Sequence, residues 1–509
     1  MRLLPLRLNG FGLHRQTQSL TQRCALAAAL VVLCAANSCS TGSSDKSSVP
    51  VFSNASLRGN YMYTLSGSYF NTGNGTSQYK ESGTFVADGD GNITGGVDDF
   101  VQNSSLSTSQ LTGTYRVAGD GTGMVTLKVN RGTVQFALTL LSVSDFYLME
   151  FDSFASGDGE AVQQSADAFS AAPSGTFIFR LNSSSGNNAS GAVASVGQMI
   201  LQSGSITGTE DFVRAGVAGS SAITGSMTPP DANGRGTAVL GDDSGIQSDY
   251  VYYVVDSENL KFLRADPGSL GDGRADAQSG AFSNASLKDG FVFWTRGSTL
   301  THSFGVNSAG AFVGDGNGNI VSGSYDSVLD GNPISNASLA GTYQVDSNGR
   351  AAITLTPENA SPISLIVWMV DSSYGLLLVS ASDVASVGRM DQQQASPFSA
   401  ASLNGSYAFY MFGSETQTSP WLTRVGIISF NGDATVTFTD YFVNNSGVTQ
   451  QKGPITGTYS VSANGRVAAF AVGVVNTQVI YLVSNASGSL LLGASGSALA
   501  GSLGQQPPP

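Results

Sequence analysis

The heptapeptide Leu111 to Val117, LTGTYRV, returns along the chain as ITGSMTP from Ile223, LAGTYQV from Leu339 and ITGTYSV from Ile455, at successive spacings of 112, 116 and 116 residues. A long fixed period carrying one shared phrase requires a structural unit used four times, so the chain is read as tandem copies of a unit of about 115 residues, an ordinary domain size. The phrase itself reads as a half-buried strand. Leu111, Gly113, Tyr115 and Val117 alternate with Thr112, Thr114 and Arg116, and the third and fourth copies alternate in the same way. A glycine on the apolar face weakens a strand, so its return at Gly113, Gly225, Gly341 and Gly457 marks a bend or a large neighbour lying across it.

Each copy opens on a second shared phrase: FSNASLRGNY at Phe52, FSAAPSGTF at Phe169, FSNASLKDGF at Phe282 and FSAASLNGSY at Phe398. These openings set β-repeats at 52–168, 169–281, 282–397 and 398–500, with 501–509 as a disordered tail. Inside each copy an aromatic strand is followed by a hairpin around a Gly/Asp/Asn turn, the LTGTY strand, a second Gly-rich turn and two strongly apolar strands. In the first copy Val134, Phe136, Leu138 and Leu140 alternate with Gln135, Ala137 and Thr139, and a second apolar run follows at Phe146 to Phe151. Burying each large apolar side chain is worth about 1.5 to 3 kcal/mol, so this hairpin carries most of the core. Only 12% of residues are charged and 63 are glycine, a profile suited to short strands and tight turns. The expectation is an all-β chain of four antiparallel meanders of seven or eight strands, most simply small up-and-down β-barrels, with β-sandwiches as the alternative.

Residues 1–38 read as a signal peptide. Arg2, Arg7, Arg15 and Arg23 precede an apolar run from Ala25 to Ala36, too short to span a bilayer comfortably. The run ends Ala36-Asn37-Ser38-Cys39, which resembles a bacterial lipoprotein signal, in which cleavage before the cysteine leaves it lipid-modified. It departs from that pattern in having Ala36 and Asn37 where Leu and a small residue are preferred. The resemblance implies Cys39 as the lipidation site, residues 39–51 as lipidated cysteine and tether, and an exported protein anchored in the cell envelope, at the outer membrane or cell surface. Cys24, Cys34 and Cys39 are the only cysteines, so no disulfide framework is available to the mature chain. Loss of the leader takes four Arg and no acids, leaving 23 − 4 = 19 basic against 36 acidic residues, a net charge of −17. Nucleic acid is a poor partner for such a chain, since phosphate binding needs clustered Lys and Arg.

The strand order and the LTGTY phrase resemble, weakly, avidin or lipocalin barrels, and only the architecture is carried over. The lipoprotein-type signal with FSNASLxG and DGxGNI repeats is similar to uncharacterised tandem-repeat lipoproteins of environmental bacteria; that resemblance implies an envelope location and no activity.

Residues able to carry chemistry are few. The two histidines are His14 and His302, so a multi-histidine zinc site cannot be built within the chain, and His302, in a polar stretch, reads as exposed. Asp88, Asp90 and Asn92, with Asp99 further on, are echoed by Asp315, Asn317, Asn319 and Asp326, the alternating oxygen pattern that opens a calcium loop. Ile93 and Ile320 replace the glycine such a loop needs, so tight hairpin turns are the preferred reading and no metal or cofactor is expected. Glu150 interrupts an apolar strand and would have a raised pKa inside a core, although an outward position is the simpler expectation. The paired aromatics Tyr61 and Tyr63, Phe177 and Phe179, Phe291 and Phe293, Tyr407 and Phe409 read as core. The functional expectation is a non-enzymatic envelope lipoprotein with a binding, adhesion or spacer role toward a glycan or protein. The alternative is a secreted polysaccharide hydrolase or carbohydrate-binding protein. Acids converging in one domain would favour the hydrolase; four filled cores would favour the scaffold.

Overall fold

The computed structural model describes residues 52–508 except 72–74, 104, 186–187, 300–304, 330–331, 382–383, 395–396, 415–420, 472–477 and 495–496. Cys39, the leader, the tether and His302 lie outside the described residues. Each repeat is a closed, eight-stranded antiparallel barrel: barrel 1 spans residues 58–163, barrel 2 residues 175–277, barrel 3 residues 288–392 and barrel 4 residues 404–505. In barrels 1 and 4 the fourth strand is broken in two, at Ser105–Gln110 with Thr112–Val117 and at Val448–Lys452 with Ile455–Val461. Every barrel closes by pairing its first strand with its last, through Tyr61↔Gln163, Phe177↔Ala277, Phe291↔Gln392 and Tyr407↔Gln505 among others. Closure leaves no open edge for another chain to pair with.

The alternation read from the sequence sets which side chains fill the barrels. Tyr61 and Tyr63 point inward in barrel 1 with Val134, Phe136, Leu138 and Leu140, and the matching aromatic pairs fill the other three cores. One end of each barrel is stoppered by the opening phrase. Phe52 and Phe398 are buried members of their cores, while Phe169 and Phe282 pack against theirs. Tyr115 of the LTGTY strand donates its hydroxyl to the carbonyls of Asn54 and Leu57 in the stopper; Tyr459 reaches Ala400 and Leu403 in barrel 4, and Tyr343 reaches Leu287 alone in barrel 3. Barrel 2 has Met227 at this position and lacks the bond.

The recurring glycine of the LTGTY strand is explained by a close backbone approach. A Cβ on Gly113, Gly225 or Gly341 would lie 2.1, 2.0 or 2.1 Å from the carbonyl oxygen of Thr126, Val239 or Thr354 on the next strand. Gly341→Ala is therefore expected to force those strands apart and lower stability by about 1 to 3 kcal/mol, read as a reduced urea midpoint. An unchanged midpoint would contradict the close approach.

The described residues form one compact unit, and within it the barrels pack in a ring. Apolar contacts join barrel 1 to 2 (Met62, Val97, Val251, Tyr253), 2 to 3 (Ile178, Val196, Trp368, Leu376), 3 to 4 (Val292, Ala311, Val479, Tyr481) and 4 back to 1 (Ala408, Phe442, Tyr147, Met149). Each barrel applies its second-strand side to the last strands of the next, a head-to-tail contact whose rotation closes after four copies.

A glutamine clasp repeats at each joint. Gln164, just past barrel 1, donates its side-chain amide to the carbonyls of Asn233 and Val254 in barrel 2. Gln278 makes the same two bonds to Asn348 and Met369, and Gln393 to Asn464 and Leu482. Gln506 makes them to Asp120 and Leu140 of barrel 1, at 2.9 and 2.8 Å, so the ring is closed without a covalent link by the contact that elsewhere follows the chain. The clasped turn holds a glycine at positive φ in every barrel (Gly121, Gly234, Gly349, Gly465), pressed against both the glutamine and the stopper phenylalanine.

Two expectations need correction. The last strand of barrel 4 is Ser497–Gln505, paired on both sides, so most of the stretch taken as a disordered tail is part of the barrel wall. Glu150 faces inward: its strand alternates Phe146, Leu148 and Glu150 into the barrel against Tyr147 and Met149 toward barrel 4.

Candidate functional site

The two residue groups singled out by the calcium-like spacing are separated by the fold. Asp88 accepts the backbone N–H groups of Asp90 and Asn92 and the Asn92 side chain, and Asp315 is used identically by Asn317 and Asn319. These bonds hold the Asp88 carboxyl below its usual range and that of Asp315 at about 2. They are hairpin turns. Asp99 and Asp326 instead point out of their barrels into the joints, where each meets an arginine of the next barrel.

These joints share one design. Arg235 pairs with Asp99 through Nε and Nη2 at 2.6 and 3.0 Å, Arg350 with Asp211 at 2.8 and 2.7 Å, and Arg466 with Asp326 at 2.7 and 2.7 Å. A ring from the arginine's own barrel donates to the same carboxylate: Tyr253, Trp368 and Tyr481 respectively. Such bidentate, charge-assisted contacts fix orientation as well as proximity. The sequence carries a signal for them beside the two shared phrases: the triplet Asn-Gly-Arg at 233–235, 348–350 and 464–466. Copy one reads Asp120-Gly121-Thr122, and the closing joint between barrels 4 and 1 is built differently. There Asn444 donates to the carbonyls of Glu150 and Ala155, Ser156 meets Thr423 at 3.0 Å, and Tyr147 packs on Tyr410 with centroids 4.7 Å apart.

Barrel 1 gathers three acids inside its wall. Arg131 pairs with Glu81 and Asp98, Tyr63 donates to Asp98 at 2.8 Å, and Tyr79 donates to Glu150 at 3.0 Å. Burial pushes the Glu150 carboxyl up to about 8, with Asp152 adding to the shift, and burial likewise raises Glu81 well above the usual range. All three acids are 1% exposed. Proton chemistry is therefore available in this core, within a barrel filled by side chains. In the matching place barrel 2 carries Arg264, bonded to Asp266 and Ser183, so the chemistry is not shared between copies.

The place where all four barrels converge is the ring axis. First and last strands of each barrel face it, and their outward residues lie in register. One level holds Thr64 beside Glu160, Arg180 beside Arg274, Trp294 beside Arg389 and Tyr410 beside Ser502; the next holds Ser66 beside Asp158, Asn182 beside Asp272, Arg296 beside Val387 and Phe412 beside Ala500. Apart from Ser502, these residues line a cavity of about 370 Å³. Among the described residues six cations reach it, and five are matched to carboxylates. Lys80 pairs with Asp272, Lys261 with Glu160, Arg274 with Asp276, Arg389 with Asp391, and Arg296 crosses from barrel 3 to Asp158 of barrel 1. Arg296 also lies over Phe412 of barrel 4, 4.3 Å from the ring centroid.

Arg180 is the sixth. Among the described residues no carboxylate pairs with it; it donates to the Gly388 carbonyl at 3.2 Å and lies 5.5 Å from the Trp294 centroid. Burial, then the neighbouring Arg274, pulls its pKa down to about 10. The opening strands' outward positions were not singled out from the sequence, because on that strand both faces are apolar or aromatic in places. The unlike set Thr64, Arg180, Trp294 and Tyr410 becomes a group only once the ring brings the four strands together.

No protein-family model matches the sequence, and comparison with curated proteins finds no match.

Proposed function

We propose that the mature protein is a lipid-anchored component of the cell envelope that displays the four-barrel ring as a non-enzymatic binding body. The observation that carries this reading is the use of the repeated residues. The recurring glycines, tyrosines, glutamines and arginines hold barrels shut and join them to one another, and the residues that differ between copies meet at the axial cavity. Such a body gains shape and rigidity from repetition and recognition from its centre. The signal-like sequence ending at Cys39 supplies the anchor, and residues 40–51 the spacer that holds the ring clear of the lipid. Partners would be the membrane, through that lipid, and a small extracellular glycan or other ligand; the acidic surface disfavours nucleic acid.

Cys39→Ser is expected to move the protein from the membrane fraction to the soluble fraction and to abolish labelling by acyl-chain precursors. Unchanged labelling would overturn the anchor. The hydrolase reading draws on Glu81, Asp98 and Glu150, which converge as paired acids do in glycoside hydrolysis. Their enclosure in a filled barrel argues against it, since a glycan chain needs a cleft. Hydrolysis of polysaccharide by the purified ring, lost in Glu150→Gln, would reverse that preference.

A further inference from the structure

We infer that the axial cavity is a binding site for a small ring-bearing monocarboxylate, with the Arg180 guanidinium as its anion anchor. Three features of the wall define the ligand. The first is charge. Among the described residues five cations around the axis are paired with carboxylates, whereas the half-buried Arg180 has no carboxylate partner of its own, Asp272, Asp276 and Glu160 acting on it without pairing with it. A half-buried cation with no partner of its own favours a ligand that brings one negative charge. A monoanion fits this balance better than a phosphate dianion.

The second is shape. Guanidinium presents a planar fork of donors that matches a carboxylate, and Arg180 carries Arg274 beside it on the neighbouring strand. The third is the aromatic part of the lining, where Trp294, Tyr410, Phe412 and Trp421 border the same space, with Arg180 against Trp294 and Arg296 against Phe412. Aromatic side chains beside cations suit a ring that carries its acid at one edge. The cavity volume falls in the range of small-molecule sites, which combine apolar walls with a few placed polar groups. All four barrels contribute, so the site exists only in the closed ring.

This assignment deepens the binding reading and rests on it, but not on the lipid anchor, which the Cys39→Ser fractionation tests separately. The experiment uses the mature chain, residues 40–509, in calorimetric titrations with sodium glucuronate, sodium benzoate, glucose and inorganic phosphate. A sugar acid and an aromatic acid share the proposed chemistry, and the two arms tell which ring the wall prefers. Binding of at least one carboxylate, with glucose silent and phosphate weaker, is expected. Arg180→Met should abolish that binding and raise the melting temperature of the unliganded protein, because an unmatched buried charge has been removed. Arg180→Lys, which keeps the charge and loses the fork, should bind about tenfold more weakly, and it covers the case in which the methionine variant does not fold. Absence of heat with both carboxylates, tighter binding of phosphate than of either, or unchanged affinity in the variants would overturn the assignment. If the ring stays closed in those same samples, that failure is of the site alone.

Discussion

Arg350→Met is expected to destabilise the ring by roughly 3 to 5 kcal/mol, because it leaves Asp211 buried at the joint of barrels 2 and 3 with only Trp368 and Ser220 to donate to it. Removing the other partner is expected to cost less. Arg350 is 29% exposed against 5% for Asp211, so in Asp211→Leu the freed guanidinium can turn to water. The double variant Arg350→Met/Asp211→Leu, which deletes both charges, should recover most of the loss, since a buried ion pair replaced by apolar groups is often near neutral. The sign with pH can be stated. Burial raises the Asp211 carboxyl, but hydrogen bonds from Arg350, Ser220 and Trp368 outweigh it and leave the folded pKa lowered. Stability from such a group is present above its unfolded pKa and is lost as pH falls through the folded value. The contribution of this joint should therefore fall toward acid, so the difference in urea midpoint between the native chain and the double variant should shrink from pH 7 to pH 3. A midpoint for Arg350→Met equal to that of the native chain would contradict the joint.

Glu150→Gln is expected to act in the opposite direction. The folded carboxyl stands at about 8 against 4.5 in the unfolded chain, raised chiefly by burial. A carboxyl with a raised pKa stabilises fully below its unfolded value, and that contribution declines as pH rises toward the folded one. Glutamine keeps the acceptor for the Tyr79 hydroxyl and cannot ionise. The variant should match the native chain near pH 4 and exceed it by roughly 3 to 5 kcal/mol at pH 9, from the interval between the two pKa values. Equal stability of the two proteins at pH 9 would place Glu150 in water.

Period-two alternation was enough to read the barrels, because a closed sheet with one filled face imposes it on every strand. Leu111, Tyr115 and Val117 went inward and Thr112, Thr114 and Arg116 outward, as alternation demands. Glu150 broke the expectation because polarity suggests an outward position, while period fixed it inward beside Leu148 and Phe146. In this strand the alternation outweighed residue type, and the cost is offset by protonation. The Gly-Gln-Gln sequence at the end of the fourth repeat looked like a tail because no opening phrase follows it; yet the glutamines at 164, 278, 393 and 506 recur at spacings of 114, 115 and 113. That period is the sequence's own statement of the clasp. The axial cavity had no such signal. Arg180, Trp294 and Tyr410 occupy equivalent places in different copies and share no chemistry, so only the closing of the ring makes them neighbours.

Ring closure is most directly tested between barrels 4 and 1, where no covalent connection exists. Ser156 and Thr423, 267 residues apart in the chain, touch side chain to side chain at 3.0 Å in that joint. In a chain starting at residue 40, which has no cysteine of its own, Ser156→Cys/Thr423→Cys should give an intramolecular disulfide. Non-reducing gels and thiol titration would show a compact monomer that has lost both free thiols, reversed by reductant. Two free thiols persisting in the folded monomer after mild oxidation, or crosslinks formed only between molecules, would mean that the four barrels form an open string.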